Sequence, residues 1–176
     1  MNTSLRLFVK HSLRTAGVAV VVACSGDTSP PSDAQLIQEF QKNRPEYERL
    51  LKMFREDRAL GRVAPTFTRP ANFFSGAPLS SSPDITATRL KEYRDLFRRL
   101  SLEAGIEGYD DKHVIEFLRY GEGFGAGLGG SGKGIAFSDS LPPDQPAEFG
   151  CETPTSNCWR YLPIGAGWFV FTERHN

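Results

Sequence analysis

Apolar residues along this chain change their spacing once, and that change limits the possible folds more than any other feature. From Ser32 to about Leu60, and again from about Thr86 to Glu103, they recur every three to four positions. Beyond Gly108 they gather in short runs rich in aromatic and β-branched side chains. Such a pattern builds helices first and sheet afterwards. Ser32 followed by Gln35 fits a capping box, in which hydroxyl and amide satisfy orphan N–H groups at a helix start. Leu36, Ile37 and Phe40 share one face of the helix that follows. A break at Asn43-Arg44 brings Pro45 into the first turn of a second helix running to about Leu60. That helix places Tyr47, Leu50, Leu51 and Phe54 on one face, and its charged residues from Glu46 to Asp57 read as the solvated face. A third helix, from about Thr86 to Glu103, carries the stripe Leu90, Tyr93, Leu96, Phe97 and Leu100, with Gly105 placed to stop it.

Four strands are expected: His113–Tyr120, Gly134–Ser138, Cys158–Leu162 and Gly167–Thr172, the last two joined by a hairpin over Ile164–Trp168. The links are too short for helical crossovers, so pairing should be antiparallel. The expected fold class is α+β, with N-terminal helices packed on a C-terminal antiparallel meander of about four strands. Residues 34–176 form its single domain. The connection from Gly61 to Ser82 is rich in Gly, Pro, Ser and Thr but contains Phe67, Phe73 and Phe74. These three rings predict a loop pinned to the core with the rings buried. The other reading is an aromatic cluster that faces a ligand.

With 176 residues the chain has room for one compact domain and a tail. Equal numbers of Lys+Arg and Asp+Glu, 21 of each, argue against a nucleic-acid partner bound by phosphate neutralisation. A mean hydropathy of −0.36 excludes a polytopic membrane protein. The first residues are different in kind. Arg6, Lys10 and Arg14 precede the apolar run Thr15–Ala23, and Cys24-Ser-Gly follows. A basic start, a short apolar core and a small-residue cut site make a secretory signal. The run falls well short of the roughly 20 residues a spanning helix needs.

The stretch Val21-Val-Ala-Cys24 resembles the lipobox of bacterial lipoproteins, with Val21 where Leu is usual. The resemblance implies cleavage after Ala23, a diacylglyceryl thioether on Cys24 and an acylated new amino terminus. The protein would then meet the membrane through that lipid. Ser25 after the cysteine looks like the outer-membrane sorting pattern of a Gram-negative host, facing the periplasm. The other readings of this segment are an ordinary cleaved signal with a free cysteine, or a short buried strand. Residues 24–33 then serve as anchor and tether. The eight residues Ser25–Ser32, with two prolines, would span about 25–28 Å. Removing residues 1–23 leaves a net charge of about −3.

Three motifs invite a chemical reading. Gly127–Lys133 matches the start of a phosphate-binding loop, G-x-x-x-x-G-K, but Gly134 stands where Ser or Thr must hold magnesium. A strand rather than a helix follows, so nucleotide and dinucleotide cofactors are rejected and the run from Gly121 to Gly134 reads as a strand connection. Cys151 and Cys158 are left once Cys24 is lipidated. Their spacing, in an oxidising compartment, reads as a structural disulfide rather than a metal or redox pair. His113, with Asp110 and Asp111 close by, is the one weak candidate for a catalytic site. Asp110, Asp111 and Glu107 could gather around a cation, though a polar turn leading into a strand explains them as well. No catalytic residue, metal or cofactor is assigned.

From about residue 34 to 173 the chain resembles a group of small uncharacterised bacterial lipoproteins. The resemblance rests on Phe40-x-x-Asn43-Arg44, Tyr47-x-x-Leu50-x-x-Met53 and Tyr93-Arg-x-Leu-Phe97. It continues in Gly130-Ser-Gly-Lys-Gly-Ile-Ala-Phe137 and Arg160-Tyr-Leu-Pro-Ile164-x-x-x-Trp168-Phe-Val-Phe171. Those proteins usually have an aromatic at the position of Ile135 and lack the Cys151/Cys158 pair. The likeness implies location and fold and carries no activity. Three functions stay open: a non-enzymatic binding or support module for an envelope protein, an envelope hydrolase or metal-assisted enzyme using His113, and an immunity or inhibitor lipoprotein. The last would require an exposed aromatic patch, with Phe67, Phe73 and Phe74 as its candidates.

Overall fold

A computed structural model describes residues 29–71, 85–109, 112–123, 130–153 and 155–176. Helix α1 spans Asp33–Glu56, strand β1 Leu60–Val63, β2 Thr68–Pro70 and helix α2 Ala87–Leu100. Six strands follow: β3 Gly105–Tyr109, β4 Val114–Glu122, β5 Gly130–Ser138, β6 Ala147–Phe149, β7 Cys158–Gly165 and β8 Trp168–His175. They form one antiparallel sheet of eight strands in the order β2-β1-β3-β4-β5-β8-β7-β6.

This architecture overturns the expected four-stranded meander under helices that all precede it. The protein is mostly β, and two strands come before α2. The additional strands were hidden by their composition and length. β1, β2 and β6 are three or four residues long, too short for a periodicity to register. The sheet is not a plain meander either. After β5 the chain crosses to the far edge as β6 and returns through β7, so that β8 pairs with β5, Ile135 opposite Val170.

The first helical region is one kinked helix rather than two. The capping box forms as expected: Ser32 Oγ accepts from the Gln35 amide, and the Gln35 side chain accepts from the Ser32 amide. Pro45 cannot donate a backbone bond, and the strain falls on Asn43 (φ −116°, ψ 20°), whose side-chain amide donates to the Glu39 carbonyl at 3.0 Å. The helix stops at Glu56 because Lys112, from the β3–β4 connection, donates to the Phe54 and Asp57 carbonyls while its ammonium sits 4.1 Å from the Phe54 ring. α2 starts at a Thr86 cap and ends at Leu100, with Ser101 left-handed (φ 53°). Gly105 belongs to β3 instead of ending α2. Its φ is +91°, and a Cβ there would overlap the Val63 carbonyl on β1.

One sheet face takes both helices. Leu36, Phe40, Tyr47, Leu50 and Phe54 of α1 and Tyr93, Leu96 and Phe97 of α2 pack with Ile106, Ile115, Phe117, Ile135, Trp168 and Val170. The opposite face has a core of its own: Leu118, Ala136, Tyr161, Phe169 and Phe171, with Leu141, Ala147 and Trp159 beside them. Among the described residues no helix covers it. The sheet instead curls around this face. The Tyr161 hydroxyl on β7 donates to Glu116 Oε1 on β4 at 2.7 Å, with β5 and β8 between them in the sheet. Side chains standing upright on a flat sheet, about 14 Å apart over three strand spacings, would not meet. Phe67 is not buried as expected. It lies in the β1–β2 turn, 43% exposed, flanked by the guanidinium groups of Arg62 at 5.5 Å and Arg69 at 5.2 Å. Phe73 and Phe74 lie outside the described residues.

Candidate functional site

The sequence candidates separate in space. Cys24, Asp110 and Asp111 lie outside the described residues, as do Gly127–Gly129 of the glycine run. Lys133, the last residue of the phosphate-loop match, is on β5 and pairs with Asp33 at the start of α1, N···O 2.7 Å. Cys151 and Cys158 form the expected disulfide, with their Cα atoms 4.5 Å apart. Closing so short a loop lowers the entropy of the unfolded chain, and reduction should cost about 2–3 kcal/mol. Chemical denaturation with and without a thiol reductant should show that loss as a lower midpoint with the slope nearly unchanged.

His113 finds a carboxylate other than the two the sequence suggested. Its Nδ1 is 2.7 Å from Asp139 Oδ1, and Arg55 holds the other oxygen of Asp139 at 2.8 Å. The hydrogen bond from His113 lowers the Asp139 carboxyl below its ordinary range, with the Arg55 charge assisting. Asp139 follows β5 and His113 precedes β4, so the β4–β5 pairing brings them together. All three side chains are well exposed. Nearby Ser138 is committed to its own turn, where its hydroxyl accepts from the Ser140 and Leu141 amides. The arrangement is that of a surface ion pair, worth little to stability.

The unusual chemistry lies on the concave face. Arg62, Glu107, Glu116 and Glu173 are all buried there. Register places Arg62 opposite Glu107 and Glu107 opposite Glu116, one charged residue on each of β1, β3 and β4. Arg62 Nη1 donates to Glu107 Oε2 at 2.8 Å and Arg62 Nη2 to the Ala104 carbonyl at 3.3 Å. Glu116 receives the Tyr161 hydroxyl. Glu173 on β8 is hydrogen-bonded through Oε2 to His175 Nε2 at 3.0 Å, and the His175 ring meets the edge of Trp159 at 5.2 Å.

Burial sets the proton affinities here. It raises the Glu107 carboxyl above its ordinary value, against the pull of Arg62. It raises Glu116 further, reinforced by the charge of Glu173. Tyr109 and Tyr161 rise as well, first from burial and then from the Glu116 charge, and stay neutral donors. Buried carboxyls with raised proton affinity next to tyrosine hydroxyls can hold and release a proton. Among the described residues no three His, Cys, Asp or Glu side chains are arranged to hold a metal ion.

None of these residues except Glu107 was singled out by the sequence, and Glu107 was offered as a cation ligand beside Asp110 and Asp111. In Val114-Ile-Glu-Phe-Leu118, Ile115 and Phe117 share one face of the strand and Val114, Glu116 and Leu118 the other, so Glu116 stands between two apolar residues. The available signal was in β8. Trp168-Phe-Val-Phe171 is apolar at consecutive positions, the mark of a strand buried on both faces, and Glu173 continues the Phe169–Phe171 side. His175 lies on β8, opposite Gly130 of β5.

Fold and site together define a mostly β protein with two helices on one face of a curled sheet and a buried acid–tyrosine cluster on the other. Compared with known proteins, the chain matches no family model, no curated protein and no solved structure.

Proposed function

We propose that this chain is a lipid-anchored protein of the cell envelope that binds or supports another envelope protein, attached through Cys24. One observation carries the reading: two of the three cysteines are joined in a disulfide, and the third is Cys24 at the lipobox-like stretch. Structural disulfides belong to exported proteins, where oxidation persists. The same compartment is where a lipidated cysteine would deliver the chain. The first helix begins immediately after Pro30-Pro31, which suits a tether ending at residue 32. Among the described residues no helix is long and apolar enough to cross a membrane, so in this reading attachment depends on the acyl chains.

A binding role is favoured over the hydrolase by the surface. Phe67 stands out between two arginines, and Phe149 is 49% exposed at the opposite edge of the sheet. Aromatic and arginine side chains are the groups that most often anchor protein partners. An inhibitor or immunity lipoprotein is the specific form of binding module that such an exposed ring favours.

Native protein taken from membranes should begin at Cys24 and carry the mass of its acyl groups, and Cys24→Ser should leave an unprocessed, unacylated precursor. Intact-mass spectrometry reads both outcomes. A native chain beginning at Met1, or one with a free thiol at position 24, would remove the anchor and the localisation with it.

A further inference from the structure

A groove of about 540 Å³ runs between α2 and the β1–β2 turn. Its apolar part is Pro65 on the turn and the edges of Phe97 and Leu102, which otherwise belong to the core. Its rim is Lys91, Arg94 and Arg98, at i, i+3 and i+7 of the helix. One cation therefore stands on each successive turn, and the three mark out a track about 10 Å long. Arg94 sets the width of the groove: its Nε donates to the Pro65 carbonyl at 2.9 Å and ties the turn to the helix.

The charge of this rim is not cancelled. Asp95 is the one anion between the three cations, and Lys91, at 2.8 Å, and Arg98 share it. Glu103, at the end of the groove, is engaged by Arg119 of β4 at 3.0 Å. Arg94 forms no ion pair among the described residues. The Lys91 and Arg98 side chains are 75% and 77% exposed, so water screens their pairing with Asp95 and leaves it open to exchange. The excess is local, since without residues 1–23 the chain carries a net charge of about −3.

Helix electrostatics explains only part of the pattern. Arg98 lies in the last turn of α2, where the dipole favours a cation. Lys91 lies in the first half, where it does not, and the first turn holds no acidic residue to compensate. The track is thus more cationic than the stability of α2 calls for.

On the reading of the chain as a binding module, we propose that this groove receives an acidic segment of the partner protein. Its carboxylates lie along Lys91, Arg94 and Arg98, and one large apolar side chain seats against Pro65. Phe67 stands two residues beyond Pro65 in the same turn, and its exposed ring is available to the same partner. An anionic bilayer offers the same charge but presents a flat surface. It would meet the outer ends of Lys91 and Arg98 and leave the groove empty, whereas a peptide enters it.

Selection of random peptides displayed on phage against the full chain tests the proposal. Enriched sequences should combine several acidic residues with one large apolar residue. By fluorescence anisotropy, an enriched peptide should bind about tenfold more weakly to Lys91→Glu and to Arg98→Glu, each a reversal of one charge contact. Both positions are exposed, and circular dichroism checks that the variants fold. In the natural chain, raising salt from about 0.05 to about 0.5 M should weaken binding, a readout that needs no variant. Enrichment of neutral or basic sequences, or of none, would overturn the proposal. An affinity that neither variant changes, or that salt does not change, would do the same. Sedimentation of the chain with phosphatidylglycerol vesicles, lost in both variants while no acidic peptide is enriched, would assign the rim to lipid and also overturn it. None of these outcomes depends on the acyl chains. A chain with a bare Cys24 that still binds acidic peptides loses its anchor and keeps this groove.

Discussion

Gly134→Ala should destabilise the protein by at least about 3 kcal/mol, a larger loss than one added methyl group usually causes. Gly134 lies on β5 opposite Leu118, immediately beside the bulge between Leu118 and Tyr120 on β4. A Cβ at this position would fall inside the contact shell of the Phe117 carbonyl oxygen and within 3.0 Å of the Arg119 amide nitrogen. Both obstacles are backbone, so no rotamer change can relieve them. Either the β4–β5 ladder separates or the curl flattens, and flattening would pull Tyr161 away from Glu116. Thermal unfolding followed by circular dichroism should show the midpoint fall by roughly 10 °C. A change within about 0.5 kcal/mol, the range of ordinary surface substitutions, would mean that the two strands do not approach this closely.

Trp168→Ala should cost about 3–5 kcal/mol, a large fraction of the 5–15 kcal/mol that holds a typical domain together. Trp168 opens β8 and is 3% exposed. Its ring lies 4.9 Å from Phe40 and 6.3 Å from Tyr47 on α1, 5.6 Å from Phe117 on β4 and 5.1 Å from Phe137 on β5. Removing it leaves a cavity where the first helix meets the centre of the sheet, and the rings around it cannot collapse into that space without moving α1. Trp168→Phe retains most of the contact area and should lose about 1–2 kcal/mol. Denaturant unfolding of both variants separates the cases. Equal losses for alanine and phenylalanine would show that the indole ring itself, rather than the filled volume, holds α1 in place.

Local chemistry alone was enough for several elements. The Ser32/Gln35 capping box formed as the residue types required, because its partners are three residues apart. The helix stripes of α1 and α2 point inward at the predicted positions. The strands at Val114, Gly134, Cys158 and Trp168 lie where their β-branched and aromatic runs suggested, and the Cys151–Cys158 pair closes within its own loop. Helix boundaries were less legible. The stop at Glu56 depends on Lys112, distant in sequence, and Pro45 bends a helix that the sequence pattern divides in two.

The residues of the concave cluster illustrate what no local pattern contains. The alternation in β4 determined that Glu116 and Ile115 point to opposite faces, but it did not determine which faces would be dry. That depended on β8 pairing with β5 and on the curl that brings β7 over β4, both set by contacts between distant parts of the chain. Thus the amino-acid sequence by itself determined the inward faces of the helices, four of the eight strands and the cysteine pair, because periodicity, capping and spacing act within a few residues. Tertiary structure alone decided the strand order, the exposure of Phe67 and the burial of Glu107, Glu116 and Glu173. Burial belongs to whatever packs against a side chain, and here those neighbours lie tens of residues away along the chain.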